Sequence, residues 1–96
     1  MRKEEDVKKA VKRILDKLHI YWLMPVAGMY GKAGIPDFIC CMRGRFLSIE
    51  TKFGNNKPTK LQDIEMEKIL NAKGIPLVVN EKNVGLLEDI LCGLLS

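Results

Sequence analysis

Arg43-Gly44 separates two short apolar runs, Phe38 to Met42 and Phe46 to Phe53. A two-residue connection of this kind between strand-like runs reads as a tight hairpin turn. It constrains the chain more than any other feature because it sets a register. Six residues back from Arg43 lies Asp37, and six on from Gly44 lies Glu50. The hairpin therefore predicts Asp37 opposite Glu50, at the roughly 5 Å spacing of cross-strand neighbours. Alternation along the second strand puts Phe46, Ser48, Glu50 and Lys52 on one face and Arg45, Leu47, Ile49 and Thr51 on the other. Two carboxylates this close repel, and a divalent cation bound by both would resolve the conflict. Pro36 fixes the entry to the first strand, and Gly34 permits a close approach of the preceding loop. By itself, a Glu-x-Lys on a strand equally describes a solvated face with an incidental ion pair.

The remaining elements follow from periodicity and breakers. About Lys3 to Leu18 reads as a helix whose apolar stripe is Val7, Val11, Ile14, Leu15 and Leu18. At about 100° per residue Glu4 is in phase with that stripe and Glu5 is not. Glu4 also suits a first-turn acid facing the helix dipole. His19 to Val26 reads as a strand ended near Pro25, with Trp22 in the core, and Ala27 to Gly34 as a glycine-rich loop. Gly54 to Pro58 is a polar loop. Thr59 to about Ala72 is a second helix with Gly74 just past its end, Ile75 to Val79 a short strand, and Asn83 to Leu95 a last helix. The expected order is α-β-β-β-α-β-α, an α/β domain spanning residues 1–96. Leu86, Leu87, Ile90, Leu91, Leu94 and Leu95 cover a wider arc of the last helix than one core contact needs, so a second copy of the chain is a natural partner.

Composition narrows the functional classes. Ninety-six residues with 47% hydrophobic and 29% charged content suit one folded domain with a modest core. A net charge of +4 mildly favours polyanions. Cys40, Cys41 and Cys92 form no Cys-x-x-Cys, and there is one histidine, so neither a zinc site nor a disulfide framework is expected. Reduced, buried thiols in a cytoplasmic protein fit best. No apolar run approaches the roughly 20 residues of a membrane span, and the first residues form no secretory leader.

The segments Gly34-Ile35-Pro36-Asp37-Phe38-Ile39, Gly44-Arg45-Phe46-Leu47-Ser48-Ile49-Glu50-Thr51-Lys52 and Thr59-Lys60-Leu61-Gln62 together resemble the VRR-NUC family. This is the virus-type replication–repair nuclease branch of the PD-(D/E)xK superfamily, and the resemblance runs from Glu4 to about Val79. It implies a nuclease-like core with a mixed central sheet flanked by helices. It also implies that Asp37 and Glu50 bind metal with the Thr51 carbonyl, that Lys52 is the catalytic lysine, and that Gln62 contacts the reacting region or the DNA. Glu4 matches the acid of the first helix better than Glu5. Thr59 and Gln62 also spell a capping box, so Gln62 has a local explanation as well.

The expected activity is Mg²⁺-dependent hydrolysis of DNA phosphodiesters, with Mn²⁺ able to substitute. Tyr30, Lys32, Lys57 and Lys60 are candidate DNA contacts on a positive rim. Stand-alone members of the family, largely from phages, resemble small junction-resolving enzymes. A homodimer with two opposed sites would suit a four-way junction in a bacterial or phage-infected cytoplasm. The alternatives are a nuclease for flaps, nicks or single strands, and a non-catalytic basic DNA-binding module.

Overall fold

The computed structural model describes residues 1–26, 28 and 31–96. Its elements are α1 (Glu4–Lys17), β1 (Tyr21–Leu23), β2 (Phe38–Met42), β3 (Arg45–Thr51), α2 (Lys60–Asn71), β4 (Ile75–Val79) and α3 (Val84–Leu95). Among the described residues the strands form one four-stranded sheet in the order β1-β2-β3-β4. The first two pairings are antiparallel and β3–β4 is parallel, so α2 is the crossover that a parallel pair requires.

The central hairpin has the expected register. Phe38 pairs with Ile49, Ile39 with Ser48 and Met42 with Arg45. Arg43 and Gly44 both have positive φ, 51° and 85°, the combination a two-residue turn needs to follow the twist of its strands. β3 is central, and Leu47 to Thr51 are all buried, on both faces.

One face of the sheet packs on α1 and α3. Val7, Val11 and Leu15 of α1 meet Phe38, Cys40, Met42, Leu47 and Ile49 of the sheet and Leu87 and Leu91 of α3. Trp22 joins this face edge-on to Phe38, with ring centroids 5.6 Å apart, and its indole N–H donates to Asp16. The opposite face carries Phe46, Ser48 and Glu50 and is only partly covered. α2 packs chiefly against β4 and has no fully buried residue. Tyr21, Leu23 and Phe46 consequently stay exposed on that face.

Three local expectations need correcting. β1 is shorter than His19 to Val26. His19 adopts a left-handed φ of 56°, and the N–H groups of His19 and Ile20 bond back to Asp16 and Leu15. This closes α1 in a Schellman motif and delays the strand to Tyr21. α2 ends the same way, but the left-handed residue is Lys73, φ 72°, rather than Gly74. Gly74 is needed for space: a Cβ there would sit 2.7 Å from an Ile69 methyl and 3.2 Å from the Phe46 ring. The thiols are free as expected, but only Cys40 is buried; Cys41 and Cys92 are exposed. Cys41 lies on the sheet face that α2 leaves open. Burial pushes the Cys40 thiol up to about 12, which makes it inert.

Candidate active site

Asp37 stands one residue before β2, at the point where continuing the register places it across from Glu50. Its carboxylate is anchored by the next residue of β3. The Thr51 N–H and hydroxyl both donate to Asp37 Oδ2, at 2.8 and 2.7 Å. In extended backbone a residue's N–H and C=O point to the same side. The Thr51 carbonyl therefore faces the Asp37 side of β3, while the neighbouring Lys52 N–H bonds the Val79 carbonyl across β4.

Glu50 is 3% exposed, which removes the reading of a solvated ion pair. Burial, a hydrogen bond with Asp37 and the Asp37 charge push its carboxyl up to about 8, opposed by the nearby Lys52 ammonium. Asp37 moves the other way. Its burial works against ionisation, but hydrogen bonds from Glu50 and Thr51 and the charge of Lys8 outweigh it and hold the group below the usual carboxylate range. At neutral pH the pair therefore holds one proton between an ionised Asp37 and a neutral Glu50.

Glu4 reaches the same end of the sheet and contributes to the upward push on Glu50. Its carboxylate is bonded to Lys8, with Nζ 3.2 Å from Oε2. Glu5 is exposed, as the helical phase predicts. Among the described residues, no group of three or more His, Cys, Asp and Glu side chains is arranged as a metal cage. What is assembled is a pair of carboxyls with a backbone carbonyl on the same side. This all-oxygen set fits Mg²⁺, which keeps several waters and is usually held through one or two carboxylates.

Beside Asp37 lies a cleft of about 510 Å³, lined by Lys32, Gly34, Asp37, Thr59 and Gln62 among others. Gln62 has the local role its sequence spells: Thr59 Oγ1 accepts from its N–H, and its Oε1 accepts from the Thr59 N–H at 2.8 Å. The same side chain lines the cleft, so capping holds it beside Asp37. Lys32 lines the cleft too but is paired with Glu65 at 3.2 Å. Lys57 and Lys60 are exposed on the loop before α2 and in its first turn. Tyr30 lies outside the described residues.

Gly34 sets the width of this cleft. Its φ is +80°, and an added Cβ would fall 2.5 Å from the Leu61 carbonyl oxygen. Backbone on both sides leaves nothing to yield. Gly34→Ala is expected to cost about 2–4 kcal/mol in urea unfolding and to distort the cleft. At Gly31, φ +69°, a Cβ meets nothing, so Gly31→Ala should cost only about 1–2 kcal/mol. Equal losses at both positions would remove the steric argument.

Two contributors escaped the sequence reading. Lys8 was detectable in principle, because i and i+4 share a helix face and Glu4 had already been singled out. Glu81, whose carboxylate accepts from the Gly54 N–H and so holds the loop beyond Lys52, gave no local signal.

No protein-family model matches the chain, and no curated protein matches it. A solved structure described as a VRR-NUC domain does match. It is 28% identical, superposes with a TM-score of 0.76, and the match covers 88% of this chain and 94% of that one. The mixed four-stranded sheet flanked by helices, in the order α-β-β-β-α-β-α, matches the fold of that nuclease domain. In sequence and in fold the chain is similar to a VRR-NUC domain.

Proposed function

We propose that this chain is a metal-dependent DNA endonuclease, active on branched DNA as a homodimer. The observation that carries the proposal is the buried Asp37–Glu50 pair beside Lys52, in a fold shared with a nuclease domain. A buried carboxyl pair that keeps a proton is costly for stability alone and useful where a cation replaces that proton. Asp37, Glu50 and the Thr51 carbonyl would hold Mg²⁺ or Mn²⁺, with Glu4 acting directly or through water. When bound, the cation polarises the scissile phosphate and acidifies the attacking water. Lys52 orients that water and offsets charge growing on the phosphate. Asp37 is held in place by Thr51, so the ligand geometry is set before substrate arrives. Tyr30, Lys32, Lys57 and Lys60 would contact the DNA backbone at the rim, and Gln62 the reacting region. Loading DNA would require Lys32 to exchange Glu65 for a phosphate.

The dimer is supported by α3, where Leu86 and Ile90 remain 59% and 45% exposed while Leu87 and Leu91 are buried. The test is one gel. Labelled four-way junction, flap, nicked duplex and linear duplex are incubated with Mg²⁺ or EDTA, alongside light scattering. Paired symmetric cuts in the junction, Mg²⁺-dependent and made by a dimer, are expected. Cuts confined to flaps, nicks or single strands would keep the nuclease and discard junction resolution. Salt-sensitive DNA binding without any cleavage would overturn the enzyme reading.

A further inference from the structure

We propose that the open face of the sheet, around Phe46 and Tyr21, is a stacking platform for unpaired nucleotides of the DNA strand that crosses the site. The inference deepens the functional reading above and rests on DNA being the substrate. The platform follows from the register. Tyr21 of β1 pairs with Cys41 of β2, and Cys41 with Phe46 of β3, so the three form one row across the face. Tyr21 is 67% and Phe46 43% exposed. Their strands lie two spacings apart, roughly 10 Å. The Phe46 ring is also seated. Gly74 leaves it room, since a Cβ there would come within 3.2 Å of its Cδ1. An exposed ring braced by its own fold can receive a flat partner without first being ordered.

The surroundings identify that partner. Phe46 lines a hollow together with Ile69, Gly74, Lys32, Glu65 and Lys68. Both ammonium groups share the one Glu65 carboxylate, at 3.2 and 3.1 Å, so this rim keeps a net positive charge. Lys32 also lines the cleft beside Asp37, which joins the hollow to the proposed active site. An apolar ring beside cations suits a nucleotide, whose base stacks while its phosphates meet the lysines. A second copy of the chain fits less well, because it would set the same positive rim against itself. Paired bases are already stacked inside their duplex, so only unpaired ones can use the ring. Phe46 lies four residues along β3 from Glu50, about 13 Å, or about four base steps at the rise of stacked DNA. The surface thus selects branched DNA that frees a few nucleotides beside the cut.

The test is fluorescence anisotropy of the full chain in EDTA at fixed salt, with three labelled probes of equal length: single-stranded oligothymidylate, the same backbone without bases, and a blunt duplex. The two single strands carry equal charge, so the difference in their affinities reports base contacts alone. Wild type is expected to bind oligothymidylate about tenfold more tightly than the abasic strand. Phe46→Leu keeps an apolar side chain beside Gly74, and Tyr21→Thr keeps a strand former at an exposed position. Each should lose at least about threefold of that preference, and the double variant nearly all of it, with abasic binding unchanged. A merely structural role would lower the melting temperature and leave the preference intact. Equal wild-type affinity for the two single strands, or a preference that survives both substitutions, would overturn the platform and leave the nuclease reading standing. So would a dimer lost in light scattering with the preference unchanged, which would give the face to a second copy. Wild type that binds the duplex but neither single strand would also overturn the platform alone. Binding of none of the three probes would overturn it together with the DNA reading.

Discussion

Lys52→Ala is expected to lower the single-turnover cleavage rate about a thousandfold while changing DNA affinity less than about threefold. Lys52 is half-buried just beyond β3, and its ammonium acts on Glu50. A cation fixed at that point stabilises negative charge that grows on the attacking water and phosphate only as the reaction proceeds. A thousandfold loss corresponds to about 4 kcal/mol of transition-state stabilisation, within the range of one preorganised electrostatic group. In the proposed mode of binding the backbone contacts are spread over the rim lysines, so DNA affinity should hold. Rate and affinity falling together would make Lys52 a phosphate anchor rather than a participant in chemistry.

Glu50→Gln is expected to stabilise the metal-free protein at pH 8 while abolishing cleavage. Burial and the neighbouring Asp37 push the Glu50 carboxyl up to about 8, from 4.5 for a free glutamate, so folding favours its protonated form. The stability this gives is complete below about pH 4.5 and is lost as pH rises towards 8, because there the unfolded chain ionises freely and the folded chain does not. Asp37 has the opposite sign. Its folded value is lowered, so its contribution is present above the usual carboxylate range and is lost as pH falls through the lowered value. The metal-free protein should therefore be most stable in mildly acid solution. Between pH 5 and 8 wild type should lose on the order of 3 kcal/mol. Glu50→Gln stays neutral, can still donate to Asp37, and should lose little over the same range. Thermal melts in EDTA across this range check it. Parallel pH profiles for the two proteins would show that the pair is not coupled through a shared proton.

The hairpin was legible because two signals agreed. A two-residue turn fixed the register, and alternation fixed the faces, so Asp37 met Glu50 where counting placed it. The α1 stripe likewise chose Glu4 over Glu5. Helix ends were less legible, since His19 and Lys73 adopt left-handed backbone that sequence assigns first to glycine. The exposure of Cys41 followed from how little of the sheet α2 covers, which no local pattern encodes. The depth of Glu50 was hidden for a related reason. Alternation alone left an outer face open to it, whereas Glu50 is buried on the central strand β3. Gln62 carried two readings in sequence, and the structure gives it the capping geometry at the cleft wall.

The most direct test of the central claim is Mn²⁺ calorimetry at pH 7 in two buffers of different ionisation enthalpy, for wild type and Asp37→Asn. If Asp37 and Glu50 form one cation site that holds a proton when empty, wild type should release close to one proton for each Mn²⁺ bound, and Asp37→Asn should bind at least about tenfold more weakly. Binding without proton release and unaffected by Asp37→Asn would place the cation elsewhere and contradict the account.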